Sequence, residues 1–172
     1  MKRRRKVPKQ VFPTGAAALY RKVLLDLVAE MREAIRTTVV EKLPNLVKES
    51  DMAAGRRTDA PEDEIDTLTE NLRARFGAIV DKKRVRELVL ANARQVSTFN
   101  RGQVSKQTQA LVGVDLPDTE RFLYSHLELY ARDNVNLVTK MAAETLTKIE
   151  NTVTAGARAG LRHEDIAAEV MK

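Results

Sequence analysis

The chain has 172 residues, with 30 Lys and Arg against 24 Asp and Glu and neither cysteine nor tryptophan. At 31% charged and 4% aromatic residues it reads as a helical, elongated protein rather than a dense globule, long enough for one domain with a real core. Disulfide and thiolate chemistry are excluded by the missing Cys, and the absence of an apolar h-region or a run of ~20 apolar residues predicts a soluble, cytoplasmically made protein with no secretory signal and no membrane span.

Residues 1–13 read as a basic, mobile arm. Lys2, Arg3, Arg4, Arg5, Lys6 and Lys9 fall within the first nine positions with no acid among them, and removing them leaves 24 bases and 24 acids. The formal +6 is therefore assigned to the arm, and an electrostatic partner is expected for the arm rather than for the whole surface. Pro8 and Pro13 forbid a helix through it. Such an arm serves as a solvated tail, contacts phosphates with release of counterions, or docks on an acidic protein surface. No aromatic is interleaved among the bases, which argues against base stacking and sequence readout.

The remainder, 14–172, reads as a single elongated helical domain. Thr14 is placed to cap a helix over about 14–43, with Tyr20, Val23, Leu24, Leu27, Met31, Ile35, Val39 and Leu43 on its apolar face and Pro44 at its end. Residues 45–64, with Gly55, Arg56 and Arg57 at their centre, read as a flexible linker. Glu62, Asp63, Glu64 and Asp66 then crowd the start of a helix carrying Ile65, Leu68, Leu72, Phe76 and Ile79, where acids suit the helix dipole. Gly77 and Asp81 mark a break before a helix through Val85, Leu88, Val89, Val96 and Phe99. On that stripe Asn92 predicts a buried amide that fixes packing register. Between Asn71 and Lys106 nine bases face only Asp81 and Glu87, but helical spacing spreads them around the circumference as a solvated face. A brief break is expected at Arg101 and Gly102, then a short helix ending at Gly113.

Asp118 opens a very long helix over about 118–159. As one rod from Thr119 to Ala159 it would span ~60 Å at about 1.5 Å per residue. Leu123, Leu127, Tyr130, Leu137, Met141, Ile149 and Val153 recur along it at helical spacing, and Gly160 is placed as a left-handed stop before a last helix. The stripe is read first as core against sibling helices. The rod outreaches either sibling, however, so part of the stripe is expected to pack on a second copy or a different protein. The predicted fold is all-α.

Catalytic signals are missing. His126 and His163 are the only histidines, and they lie on different elements. His163, Glu164 and Asp165 are adjacent on a helix start and point in different directions, so a polar first turn is preferred to a metal site. There is no zinc-protease, phosphate-loop or nucleophile-elbow motif. The expectation is no enzyme, no cofactor and no metal.

Two stretches resemble a known family. Asn134 to Val138 forms an Asn-x-x-Leu-Val step on the long helix, and Gly160 to Ala167 forms a Gly-Leu turn leading into a Glu- and Ile-Ala-bearing helix. Both are similar to the minor head proteins of tailed phages, the Mu F-like or head morphogenesis proteins, with the likeness best over 119–172. Arg162 stands where the family pattern has a Ser or Thr cap. Known members are longer, so the resemblance implies that this chain is their N-terminal part, with the family's C-terminal region absent. It further implies a minor structural protein of the virion, bound at the portal vertex inside the capsid after assembly in the host cytoplasm and aiding head assembly and DNA packaging or delivery. The partners implied are the portal protein, the major capsid or scaffolding protein, and duplex DNA held non-specifically; no membrane partner is expected. Two other readings stay open: a cytosolic nucleic-acid-binding module built around the arm, and a self-associating helical scaffold. Limited proteolysis should cut the chain first at Arg56 or Arg57; first cleavage within 119–155 would show that the rod is not a stable element.

Overall fold

The computed structural model describes residues 7–45, 60–113 and 123–172. Lys2, Arg3, Arg4, Arg5 and Lys6, the linker around Arg56 and Arg57, and the helix start at Asp118 lie outside the described residues. The fold is all-α. Helix α1 runs Thr14–Ile35 and continues as a π-helical turn, Arg36–Val40; α2 is Ala60–Ile79, α3 Lys82–Val112, α4 Leu123–Arg158 and α5 His163–Val170. At 36 residues α4 is the longest described helix.

Three boundaries differ from the sequence reading. The helix expected to reach residue 43 leaves the α register at Arg36, where the Glu41 amide donates to the Arg36 carbonyl five residues back at 3.0 Å. Thr37, Thr38, Val39 and Val40 are four β-branched residues in succession, and the Thr37 hydroxyl donates to the Glu33 carbonyl at 2.9 Å. Crowding at χ1 and back-bonding both weaken an α turn. Thr38 and Val39, on that wider turn, are both buried. Helix α2 begins at Ala60, inside the span assigned to the linker, because Pro61 fits a helix's first turn and three acids follow it. No break occurs at Gly102. A single interior glycine costs ~1 kcal/mol, too little by itself to stop the helix, even though the buried residues of α3 all precede it. The break predicted near Gly77 and Asp81 falls at Val80 and Asp81.

The described helices divide into two compact units rather than the one domain expected, and α1 and α4 each contribute to both. The first unit holds residues up to Leu24 together with Lys83–Asn136. Its core is made mostly of small residues, Ala16 of α1, Val85, Val89 and Ala93 of α3, and Ala131 and Val135 of α4, with Leu90 of α3 beside them in sequence and also buried. Polar bonds set its register. The Asn92 amide, predicted as a buried register group, donates to the Ala16 carbonyl at 2.8 Å. Tyr20 donates its hydroxyl to the Asn134 side-chain oxygen at 3.0 Å, and Asn134 in turn donates to the Tyr130 carbonyl at 2.8 Å. Burial, then Tyr130 beside it, pushes the Tyr20 hydroxyl above its ordinary pKa, so it stays a neutral donor. Arg86 and Glu128 join α3 to α4.

The second unit, Leu25–Lys82 and Leu137–Lys172, has the larger side chains. Leu43 and Leu72 are almost wholly buried, with Phe76, Ile65 and Leu68 from α2 and Leu146, Ile149 and Val153 from α4 around them. Helix α4 ends as predicted at Gly160. That residue has φ 66°, and the Leu161 and Gly160 amides donate to the Gly156 and Ala157 carbonyls in the paired pattern of a Schellman cap. Chain reversal there lays α5 back on α4. A Cβ on Gly156 would come within 2.6 Å of Ile166 Cγ1, so only glycine admits the buried Ile166 this closely. Arg162 supplies no side-chain cap to α5, as its identity predicts.

The Thr38 hydroxyl is buried and has no partner among the described residues. Replacing it by the isosteric Val removes an unsatisfied polar group, so Thr38→Val should raise unfolding stability by about 1 kcal/mol in a denaturant titration. A loss of stability would show that the hydroxyl is bonded in solution.

Candidate nucleic-acid interface

Charge is distributed unequally between the two units. The first contains sixteen Lys and Arg against six Asp and Glu, a formal +10, and the second fourteen against eighteen, a formal −4. The sequence reading assigned the whole excess to the arm, but without the arm's six bases the first unit is still +4. The balance of bases and acids beyond residue 9 is an average over two units of opposite sign. Counting charge along the chain hides this, because each unit is assembled from two separate stretches.

Within the first unit the basic excess is continuous along two stretches. Up to Leu25 the chain has eight bases and no acid, and on α3 Arg94, Arg101 and Lys106 follow Glu87 with no acid before Gly113. Those three side chains are exposed. The two stretches meet. Gln103 of α3 pairs with the backbone of Val11 through both its amide atoms: Oε1 accepts from the Val11 amide at 2.6 Å and Nε2 donates to the Val11 carbonyl at 2.7 Å. One turn on, Gln107 Nε2 donates to the Pro8 carbonyl at 3.0 Å. As predicted from Pro8 and Pro13, residues 7–13 form no helix, but they lie along α3 rather than free of it. Lys9, exposed, sits between the two bonded positions. Among the arm's six candidate bases it is the one within the described residues.

The other bases of the 71–106 stretch are exposed, and several join helices. Arg73 lies 3.9 Å from Glu150, Arg75 donates to the Thr37 hydroxyl at 2.6 Å, and Arg86 pairs with Glu128. Exposed pairs of this kind are worth little individually, and they leave the α2 bases committed within their own unit.

The stripe proposed for a partner helix splits. Ile149 and Val153 are in the core of the second unit against Val39, Ile65, Leu68 and Leu72, and so are not free for a partner. Leu127 is half-buried, Tyr130, Leu137 and Met141 are exposed, and the Leu123 side chain lies outside the described residues. The reason is angular. Buried positions follow Ala131, Val135, Ala142, Leu146, Ile149 and Val153, while Tyr130, Leu137 and Met141 fall to one flank of that line at about 100° per residue.

The packing gap lined by Val39, Ile65, Thr69 and Leu146 is about 10 Å³, room for a single water and not for a substrate. His163 Nε2 is 3.1 Å from the neighbouring Glu164, and His126 is exposed on α4. Among the described residues no three His, Asp or Glu are grouped to hold a metal ion, and no helix is long and apolar enough to cross a membrane. The chain matches no family model, curated protein or solved structure.

Burial separates the two halves of the stripe energetically. Ile149→Ala should cost about 2–5 kcal/mol in a denaturant melt, while Leu137→Ala and Met141→Ala should each change stability by no more than ~0.5 kcal/mol. If the exposed flank packs on another chain, the latter pair will instead lower the association measured by sedimentation. Full stability loss at Leu137 would place it in the core.

Proposed function

We propose that this chain is a structural, non-catalytic protein of a tailed-phage head, seated near the portal inside the capsid, where its basic unit meets packaged duplex DNA. The observation carrying the reading is that both family-like stretches coincide with joints of α4. Asn134 of the Asn-x-x-Leu-Val step ties α4 to Tyr20 of α1, and Gly160 of the Gly-Leu turn closes α4 and returns α5 onto it. Leu137 and Met141, exposed beyond the first of these joints, supply an apolar contact for the portal, the major capsid or a scaffolding protein. The +10 unit suits the phosphate backbone, which is met without sequence preference inside a filled capsid.

A second reading is a nucleic-acid-binding module outside any virion, favoured by the same +10 unit. A third, a self-associating scaffold, is favoured by the exposed flank of α4. Co-expression with a portal ring separates them: the head reading expects the chain to co-purify with the ring at defined stoichiometry, and a chain that never does so while binding DNA tightly supports the second. For the arm, replacing Lys2, Arg3, Arg4, Arg5, Lys6 and Lys9 by Ala should remove most affinity for duplex DNA without loss of helix. Full engagement of those six bases predicts a slope of log K on log salt of about −5, from roughly −0.9 per contact. Unchanged binding by that variant would remove the arm from the DNA contact.

A further inference from the structure

Resting on the DNA-contacting reading above, we infer that residues 7–13 of the arm and the C-terminal half of α3 form one phosphate-binding surface, held together by Gln103 and Gln107. The two glutamines are one helical turn apart on α3 and bond the arm backbone at Val11 and Pro8, so the arm runs antiparallel to the helix there. Both partners are main-chain groups, which makes the docking independent of the arm's side chains. Lys9 lies between the bonded positions and Lys106 between the two glutamines, and both are exposed. No acid occurs on α3 after Glu87 to interrupt this cluster.

Gln103 and Gln107 are thus positioning residues for DNA binding. A free basic tail loses conformational entropy on every phosphate it holds, and a tail anchored at Pro8 and Val11 has already lost part of it. Anchoring also raises the local concentration of the arm's bases beside Lys106. A mixed-sequence duplex fits because the surface offers cations and no stacking aromatic between them, which recognises phosphate rather than bases.

The test compares variants of the whole chain by fluorescence anisotropy on a 20-base-pair mixed-sequence DNA duplex. Gln103→Ala with Gln107→Ala removes no charge and should preserve helix content, yet should weaken binding about fivefold. Lys106→Ala should reduce the salt slope by about 0.9, one phosphate contact. Since the chain has no cysteine, spin labels at Gln10→Cys and Gln109→Cys report docking directly, with a single narrow distance that broadens in the double Gln variant. If the double variant binds as the parent does while the arm-alanine variant loses affinity, the arm contacts DNA without its anchor and the inference is overturned, the DNA reading surviving. A broad label distance in the parent chain overturns it equally. If the arm-alanine variant also binds normally, the arm is not the DNA contact and the inference is overturned; if the parent chain does not bind the duplex at all, the DNA reading itself fails. A shallow salt slope with saturable binding only to an acidic protein overturns both.

Discussion

The first unit depends on one buried amide. Its core is lined by alanine and valine, which let α1, α3 and α4 approach closely but define register poorly, since one small side chain is much like the next. Asn92 removes the ambiguity because its amide, buried between helices, needs an acceptor, and the Ala16 carbonyl at 2.8 Å supplies one. A slip of one turn would strand that group in an apolar setting, at a cost of several kcal/mol against the little that Val or Ala contacts would lose or gain. Tyr20 on Asn134 links α1 to α4 through a part-buried bond, while the exposed Arg86–Glu128 pair joins α3 to α4 and adds little to the register. The antiparallel run of α3 along the arm follows from the same register, since Gln103 and Gln107 meet Val11 and Pro8 where Asn92 meets Ala16.

The second unit is specified by shape. Leu43, Leu72 and Ile166 are large and nearly wholly buried, and a void or clash at any of them is felt directly. Two backbone irregularities serve that packing. Thr38 and Val39 of the π-helical turn are buried, and Gly156 gives Ile166 a place against α4. The Thr38 hydroxyl, buried without a partner among the described residues, is a cost of the first device. π turns concentrate where a helix carries a local constraint, and here the constraint is four β-branched residues in a row.

Much of this was legible beforehand. Helical spacing gave the all-α class, Gly113 and Gly160 gave two helix ends, and the polar Asn92 on an apolar stripe gave its own burial. What failed did so for physical reasons. Glycine at 102 reads as a stop, but conformational freedom only permits a break, and the cost of one interior glycine is too small to force it. The expected α4 stripe takes in Tyr130, Leu137 and Met141, while the buried face runs through Ala131, Val135, Ala142 and Leu146, of which the alanines rank below Leu137 and Met141 in hydrophobicity. Small size, not apolar mass, marks where helices touch. The charge partition was hidden because neither unit is a continuous stretch of sequence. Nothing in the sequence singled out Gln103 or Gln107, since a glutamine at the surface of a helix is ordinary until an unpaired backbone arrives opposite it.

The unequal charge gives the two units opposite relations to their medium. A unit at +10 repels itself, and a core of alanines and valines offers modest cohesion against that repulsion. Dissolved salt relieves the strain by screening, and a polyanion relieves it more completely by supplying fixed counter-charge. The second unit, at −4 and with the heavier core, has no such need. Self-repulsion in the first unit should therefore ease as salt or an anionic ligand is added, and the second unit should respond less.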